Sequence, residues 1–245
     1  MVDLSDIAVV IPVRMHSSRI ERKVMLSLKD EEGKEYNLLE WKLNQLIKVL
    51  SPSQIFISTE SEIFKNIAIS YGCNVLSRSE YLTKQNYVAT TREQVEGVIK
   101  DVKFKHIAWI TAVVPLMQPK EYLESFIQYK KNVESKSEYD SLVTVNLLKE
   151  YFWDDNGPIN YEANENHPAS QLLPNMYRVT NGLYMAPKSV MMNRGYFLGA
   201  NPYKQIVSKI SGIDIDEYED YEMTVDMLNT YFKRIRNESI IDTNN

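Results

Sequence analysis

Ile7-Ala-Val-Val-Ile-Pro-Val13, followed directly by Arg14-Met-His-Ser-Ser-Arg19-Ile-Glu-Arg22-Lys23, sets an unbroken apolar run against a basic loop. An apolar run without alternation is what a strand needs when both faces of its sheet are covered. The ten residues after it carry four basic side chains, on a chain whose formal net charge is -5. Guanidinium groups pair with phosphate oxygens in a bidentate fork, and the N–H groups of a turn can complete a cradle. A solvated charged loop has the same composition, so both readings stand at this point.

Outward from that strand, short β-rich runs alternate with helical patterns. Asn37–Leu50 carries Leu38, Leu39, Leu43, Leu46, Ile47 and Leu50 at helical spacing, and Gln54–Ser58 reads as a strand. Ser61 caps a helix over Glu62–Tyr71 that Gly72 ends, before a short strand at Asn74–Leu76. Thr91–Lys103 reads as a helix, His106–Thr111 as a strand, and Pro119 opens a helix to about Lys131. This order predicts an α/β, Rossmann-like three-layer fold with a mostly parallel sheet and helices on both faces. Ligands in such sheets bind beyond the carboxyl ends of the strands, so the loops after Val13, Ser58 and Thr111 are the ones to watch.

The second half has another texture. Ser141–Val145 reads as a strand, and residues 147–180 read as an insertion of hairpins and loops within a single domain of residues 1–245, with a strong turn at Asn156-Gly157-Pro158. Its aromatics Tyr151, Phe152, Trp153 and Tyr161 either dock a partner subunit or fold back on their own core. Gly182–Ala186 returns to a strand. Asp220–Lys233 reads as a helix with Tyr221, Val225, Leu228 and Phe232 on one face, and the tail after Ile241 as frayed.

With 245 residues, 44% hydrophobic and 25% charged, the chain can bury a full core. The acidic balance and pI near 5.4 argue against nucleic acid as partner, whereas a local cluster of cations suits a small polyanion. The single cysteine, Cys73, cannot form an internal disulfide and reads as a structural thiol. The chain shows no signal-peptide pattern and no spanning run, so a cytoplasmic protein without membrane contact is expected.

The acidic counterpart of the basic loop is Asp214-Ile-Asp216-Glu217-Tyr-Glu219-Asp220-Tyr-Glu222. If Gly212–Ile215 is a strand end, Asp214 and Asp216 project to the same side and can hold Mg²⁺. The other carboxylates fit a solvated helix start. Arg14, Arg19 and Lys23 would surround a triphosphate, and phosphoryl-type transfer then needs no covalent nucleophile. None is evident: His106 reads as structural, His16 either touches phosphate or does not, and His167 has no assigned role.

Arg14, Ser17, Arg19 and Lys23 spell Arg-x-x-Ser-x-Arg-(Leu/Ile)-x-x-Lys after a first strand, which resembles the signature loop of the sugar-nucleotide cytidylyltransferases. That group includes acylneuraminate, 3-deoxy-manno-octulosonate and spore-coat-polysaccharide types. The resemblance continues in order through Leu38-Leu39-Glu40-Trp41, Ile57-Ser58-Thr59-Glu60, Tyr71-Gly72, Arg78, Pro115-Leu116, Asp140–Val145, Gln171, Pro174, Tyr177-Arg178, Asn181-Gly182, Phe197-Leu198-Gly199 and Asp214-Ile215-Asp216. It implies CTP as substrate, Arg14, Ser17, Arg19, Lys23, Arg78 and Thr111 at the nucleotide, and Mg²⁺ on Asp214 and Asp216. It also implies Gln171, Arg178 and Asn181 at the acceptor, with Lys149 a weaker candidate, and a homodimer built on the insertion. Arg178 either pairs with a sugar-acid carboxylate or forms a structural ion pair.

The match departs from the family at several positions. Met15-His16 stands where relatives carry glycine, and Glu21-Arg22 where they carry Pro-Gly. Thr111-Ala-Val-Val-Pro115-Leu-Met117 lacks the amide that can read a cytosine edge, and Val113 stands near an Asp of the octulosonate type. Ser170 replaces the basic neighbour of Gln171. The expectation is therefore a cytidylyltransferase joining CMP to a sugar acid with a 2-keto-3-deoxy core and releasing pyrophosphate. The alternatives are a phosphorylated acceptor or another NTP, or a nucleotide-binding subunit that has lost catalysis.

Overall fold

The apolar run forms β1 (Ile7–Pro12), whose first five residues have no solvent exposure. The computed structural model describes residues 2–83, 89–136 and 138–242. After β1 come a small hairpin, β2 (Ser27–Lys29) and β3 (Glu35–Asn37), then α1 (Leu38–Leu46), β4 (Ile55–Thr59), α2 (Glu62–Ser70) and β5 (Asn74–Ser77). α3 (Thr91–Ile99), β6 (His106–Ile110) and α4 (Pro119–Tyr129), extended by a wide π turn over Lys130–Ser135, complete the first half. β7 (Ser141–Leu148), a minimal hairpin of β8 (Trp153–Asp154) and β9 (Gly157–Pro158), β10 (Met176–Pro187), α5 (Lys188–Arg194), β11 (Pro202–Ile206) and α6 (Tyr218–Asp242) follow.

Seven strands form one sheet in the order β11-β7-β10-β6-β1-β4-β5. β1 runs parallel to β4 and β6, β4 to β5 and β7 to β11, and β10 alone runs against its neighbours β6 and β7. Successive β1 side chains point to opposite faces. Ile7, Val9 and Ile11 meet the core under α1, α2, α4 and α6, while Ala8 and Val10 meet the core under α3 and α5. The three-layer α/β architecture anticipated from the alternation is the one present.

Several boundaries differ from the sequence reading. Asn37 is not helical: its side chain accepts from the Glu40 N–H while Glu40 accepts from the Asn37 N–H, a capping box that starts α1 one residue later. α3 likewise stops at Ile99, short of Lys103. β10 begins at Met176, so residues 176–180, assigned to the insertion, are sheet. The exposure of Tyr177, Arg178 and Val179 hid a strand whose pairing with β7 is a backbone matter. On α6, Val225 faces solvent at 41% exposure, and Thr224, Leu228 and Tyr231 face the core. The tail expected to fray lies, beyond Asp242, outside the described residues. No helix among the described residues is long and apolar enough to cross a membrane.

The amino ends of β1 and β6 are fastened by a charge cluster. Lys130 bridges Asp6 (2.5 Å) and Glu134 (2.6 Å), and buried His106 stands 3.3 Å from Glu134 and 2.7 Å from the Tyr129 hydroxyl. His106 is thus structural, as expected. All the loops of interest lie at the opposite end of the sheet.

Candidate active site

β1 hands the chain to the basic loop through two anchors. The Val13 N–H donates to the Ser58 carbonyl (3.0 Å), and the Met15 N–H donates to the Glu60 carboxylate (3.0 Å). The loop ends at Arg22, whose φ of 54° lies in the left-handed region. Holding a non-glycine side chain there costs about 1 kcal/mol. The turn drives Lys23 inward to 7% exposure. Its Nζ donates to the Ile215 carbonyl (2.6 Å) and lies 3.1 Å from Asp216 Oδ1. Arg19 donates to the same Asp216 oxygen and lies 3.9 Å from Glu217. The basic loop and the acidic segment, almost two hundred residues apart in sequence, are therefore joined.

The acidic segment is not a strand end, as the spacing suggested. A single-turn helix over Ile210–Gly212 leads into extended chain that takes no place in the sheet. Ile215 is fully buried and fixed at both ends: its N–H donates to the Val113 carbonyl (2.9 Å) and its carbonyl accepts from Lys23. Asp214 and Asp216 flank this pinned residue and line one cavity of about 270 Å³ with Arg178 and Asn181. Asp214 Oδ2 accepts from Asn181 Nδ2 (2.7 Å), and Asp214 Oδ1 is buried with no hydrogen-bond partner. Burial, reinforced by the Asp216 charge, raises this carboxyl above its ordinary range despite the Asn181 bond. An orphaned carboxylate oxygen beside a second carboxylate is a donor set that could hold a hard divalent cation. Asp220 instead closes the turn before α6, accepting from the Asp216 and Glu217 N–H groups (2.9 and 2.7 Å).

Asn181 sits at the bulge between the two paired stretches of β10, with φ 57°, and its amide oxygen accepts from the Tyr184 hydroxyl. The Thr111 hydroxyl donates to the Asn181 carbonyl (2.8 Å), so this candidate for the nucleotide is bonded to the sheet. Arg178 is held by neutral acceptors, Asn146 Oδ1 (2.6 Å) and the Gly212 carbonyl (3.3 Å). Among the described residues it makes no direct ion pair, which removes the structural ion-pair alternative, and it shares the lining of the cavity with Asp214 and Asp216. Asn146, buried in β7, is a positioning group the sequence reading missed. Its amide nitrogen grips the Val207 and Ser208 carbonyls (3.0 and 2.8 Å) while its oxygen aims Arg178. Its signal was a single amide in an apolar strand. Gly212 is required beside it, since a Cβ there would stand 2.4 Å from Asn146 Oδ1.

A second cavity, about 210 Å³, is lined by Arg14, Arg78, Gln94 and Trp109. Arg78 donates to the Leu82 carbonyl (2.9 Å), its Nε is buried without a partner, and burial lowers its pKa. Two guanidinium groups with an unused donor suit an electron-rich ligand. Ser17 is half-buried in the loop. Gln171 lies exposed on the turn Ser170–Leu172 and lines neither cavity. Lys149 donates to the Leu173 carbonyl and pins the insertion. His16 pairs with exposed Glu21 at 3.0 Å, and His167 stacks on Tyr151 at 4.7 Å. Tyr151 and Tyr161 thus fold onto each other and His167, while Trp153 keeps 63% exposure. The Cys73 thiol is pushed up to about 11 by burial, which disfavours the thiolate.

The architecture has solved counterparts. A CMP:2-keto-3-deoxy-manno-octonic acid synthetase complexed with CTP superposes with a TM-score of 0.62 at 14% identity, covering 92% of this chain and 99% of that one. A cytidylyltransferase from Leptospira borgpetersenii serovar Hardjo-bovis gives 0.59 at 15% identity, covering 98% and 94%. A 4-diphosphocytidyl-2C-methyl-D-erythritol synthase from Anaerococcus prevotii gives 0.58 at 14%, covering 91% and 96%. Identities this low establish a shared fold. No curated protein sequence is matched. The sequence model of the cytidylyltransferase family, in contrast, matches residues 8–207, which span β1 from its second residue, the basic loop, both guanidiniums of the second cavity and the other six strands of the sheet. The chain belongs to the cytidylyltransferase family.

Proposed function

We propose that this protein transfers CMP from CTP to a sugar acid with a 2-keto-3-deoxy core and releases pyrophosphate. The observation that carries the reading is the cavity at Asp214 and Asp216, where Arg178, free of any direct ion pair among the described residues, is held beside two carboxylates, one of them bonded to the basic loop. An acidic acceptor needs a cation for its carboxylate, and Arg178 supplies one with fixed orientation. The acceptor hydroxyl attacks the α-phosphorus and loses its proton to water, the α–β phosphoanhydride bond breaks, and pyrophosphate departs with the bond's electron pair.

Arg14, Arg19 and Lys23 bind the triphosphate, with Arg78 and Ser17 beside it. Arg19 and Lys23 also neutralise Asp216. Phosphate oxygens compete for the same two cations, so nucleotide binding frees the carboxylate. Asp214 and Asp216 would then hold Mg²⁺, which neutralises charge on the α-phosphate and on the leaving pyrophosphate. Asn181 orients Asp214 through its amide. The neighbour solved with CTP supports the nucleotide. Exposed Trp153, Ile159 and Leu172 on the insertion support a homodimer built there.

A continuous pyrophosphate-release assay with CTP, Mg²⁺ and a panel of 2-keto-3-deoxy sugar acids tests the reaction. Turnover with at least one sugar acid is expected, and Arg178→Ala should raise its KM by roughly tenfold to a hundredfold, as for a lost charged hydrogen bond. Turnover only with phosphorylated acceptors would move Arg178 to a phosphate and overturn the sugar acid. CTP binding without release for any acceptor would mark a subunit that has lost catalysis.

A further inference from the structure

Arg178 is aimed by Asn146 Oδ1 and the Gly212 carbonyl, and the turn that carries Gly212 is itself gripped by a side chain of α4, Glu121. Glu121 stands in the first turn of α4, where its Oε2 accepts from the Gln118 N–H (2.9 Å) and closes the helix cap. The same oxygen accepts from the hydroxyl of fully buried Ser211 (2.6 Å), and Oε1 accepts from the Ser208 N–H (3.3 Å). A serine hydroxyl has one proton to give. Ser211 gives its proton to Glu121, so Ser208 is the donor in the 2.7 Å bond between the two hydroxyls. Ser208 Oγ in turn accepts from Arg234 Nη1 (2.7 Å) and from the Ser211 N–H (3.1 Å). The relay therefore runs one way, from Arg234 through Ser208 and Ser211, and it ends on a carboxylate because only acceptors fit there.

We propose that Glu121 is a positioning residue for the acceptor side of the cavity: it fixes the turn at residues 208–212 and, through it, the direction of the Arg178 guanidinium. Two supports meet at Ser208. Asn146 Nδ2, reaching from the sheet, takes the Ser208 carbonyl (2.8 Å), and Glu121, reaching from α4, takes the Ser208 N–H. The Gly212 N–H then returns to the Ser208 carbonyl (3.2 Å), which presents the Gly212 carbonyl to Arg178. Asn146 and Gly212, the two acceptors that hold Arg178, are thus both tied to the residue that Glu121 grips. The amine of Lys42, fully buried in α1, is spent on the Val114 carbonyl and the Tyr122 hydroxyl (2.7 and 2.6 Å), which leaves Glu121 to the turn. The nucleotide side has separate supports. The basic loop is anchored at Ser58, Glu60 and Ile215, and Ile215 is pinned independently by Val113 and Lys23.

The effect on catalysis rests on the reading of Arg178 as the cation for the acceptor, but the hold on Arg178 can be measured without turnover. Glu121→Gln is the selective variant. Its amide oxygen can keep Gln118 and Ser211, whereas its NH2 group meets the Ser208 N–H, donor against donor. Ser211→Ala removes the hydroxyl relay and leaves the α4 cap in place. In NMR of the isotope-labelled chain, the Arg178 Nε–H signal, assigned by its loss in Arg178→Lys, reports how the guanidinium is held. It should be resolved in the wild type and should shift and broaden in both variants, with thermal melts establishing that each is folded. If Glu121→Gln does not fold, Ser211→Ala decides alone. An Arg178 signal unchanged in the folded variants would overturn the positioning role whatever the substrate. In the pyrophosphate assay, Glu121→Gln should raise the acceptor KM about tenfold, with kcat and the KM for CTP within about twofold of wild type. An equal rise in both KM values would mark general loosening and refute the assignment to the acceptor side. A displaced Arg178 signal beside an unchanged acceptor KM would instead refute Arg178 as the acceptor's cation and leave the hold of Glu121 on it standing.

Discussion

Lys23→Met is expected to lower kcat/KM for CTP by at least about a hundredfold, the consequence of losing some 3 kcal/mol of interaction at a buried charge. The reasoning starts from burial. Lys23 is 7% exposed, so its bonds to the Ile215 carbonyl and Asp216 act in a poorly screened environment. Methionine fills similar space without a donor, leaving a buried carbonyl unpaired and Asp216 with Arg19 alone. The triphosphate loses a cation, and the segment between the two candidate carboxylates loses one of its two pins. Arg19→Met should cost less, because Arg19 is about half exposed and its charge is screened. Steady-state kinetics on both variants, with thermal melts to establish folding, checks the ranking. Equal effects, or a larger one at Arg19, would mean that Lys23 is a structural anchor.

The second large effect belongs to Asp214. Asp214→Asn should reduce turnover by about a hundredfold to a thousandfold, the range seen when charge stabilisation of a transition state is removed, and should not lower the melting temperature. The two halves have one cause. Burial raises the folded-state pKa of Asp214 above its unfolded value, so the ionised carboxylate is a liability in the native state at neutral pH. For a carboxyl shifted upward, the contribution to stability improves as pH falls through the folded pKa and is unfavourable above it. Asparagine removes that cost and can still accept from Asn181. A group retained at the expense of stability has a functional reason to be charged. Differential scanning calorimetry and the pyrophosphate assay decide it: a destabilised variant of normal turnover would make Asp214 structural.

How much of this was readable in the sequence depended on whether the signal was local. β1 was legible because a strand covered on both faces must be apolar throughout, and Ile7–Ile11 is. The starts of α1 to α4 were legible to within a residue because caps are local chemistry, as Asn37 and Glu40 show, whereas α6 begins two residues before the reading and α5 was missed. Asp214 and Asp216 were read as projecting from a strand end; they line one cavity, but the segment is not a strand. Their common orientation comes from the clamping of Ile215 by Val113 and Lys23, contacts that span about a hundred and almost two hundred residues, and not from a strand. β10 was read short because Tyr177, Arg178 and Val179 are exposed, and an exposed strand lacks the apolar signature. Lys42 was invisible, since a lysine on a helix counts as solvent face until the fold buries it. Val225 misled in the opposite direction, an apolar residue that points outward.

The account rests on a nucleotide site formed by the loop after β1, and calorimetric titration of CTP, ATP, GTP and UTP in the presence of Mg²⁺ tests it most directly, with Arg14→Ala as the control. CTP should bind with at least about tenfold preference over the other three, equivalent to some 1.4 kcal/mol, and should weaken markedly in the variant. Binding without preference among the bases, or CTP affinity unchanged by Arg14→Ala, would contradict it.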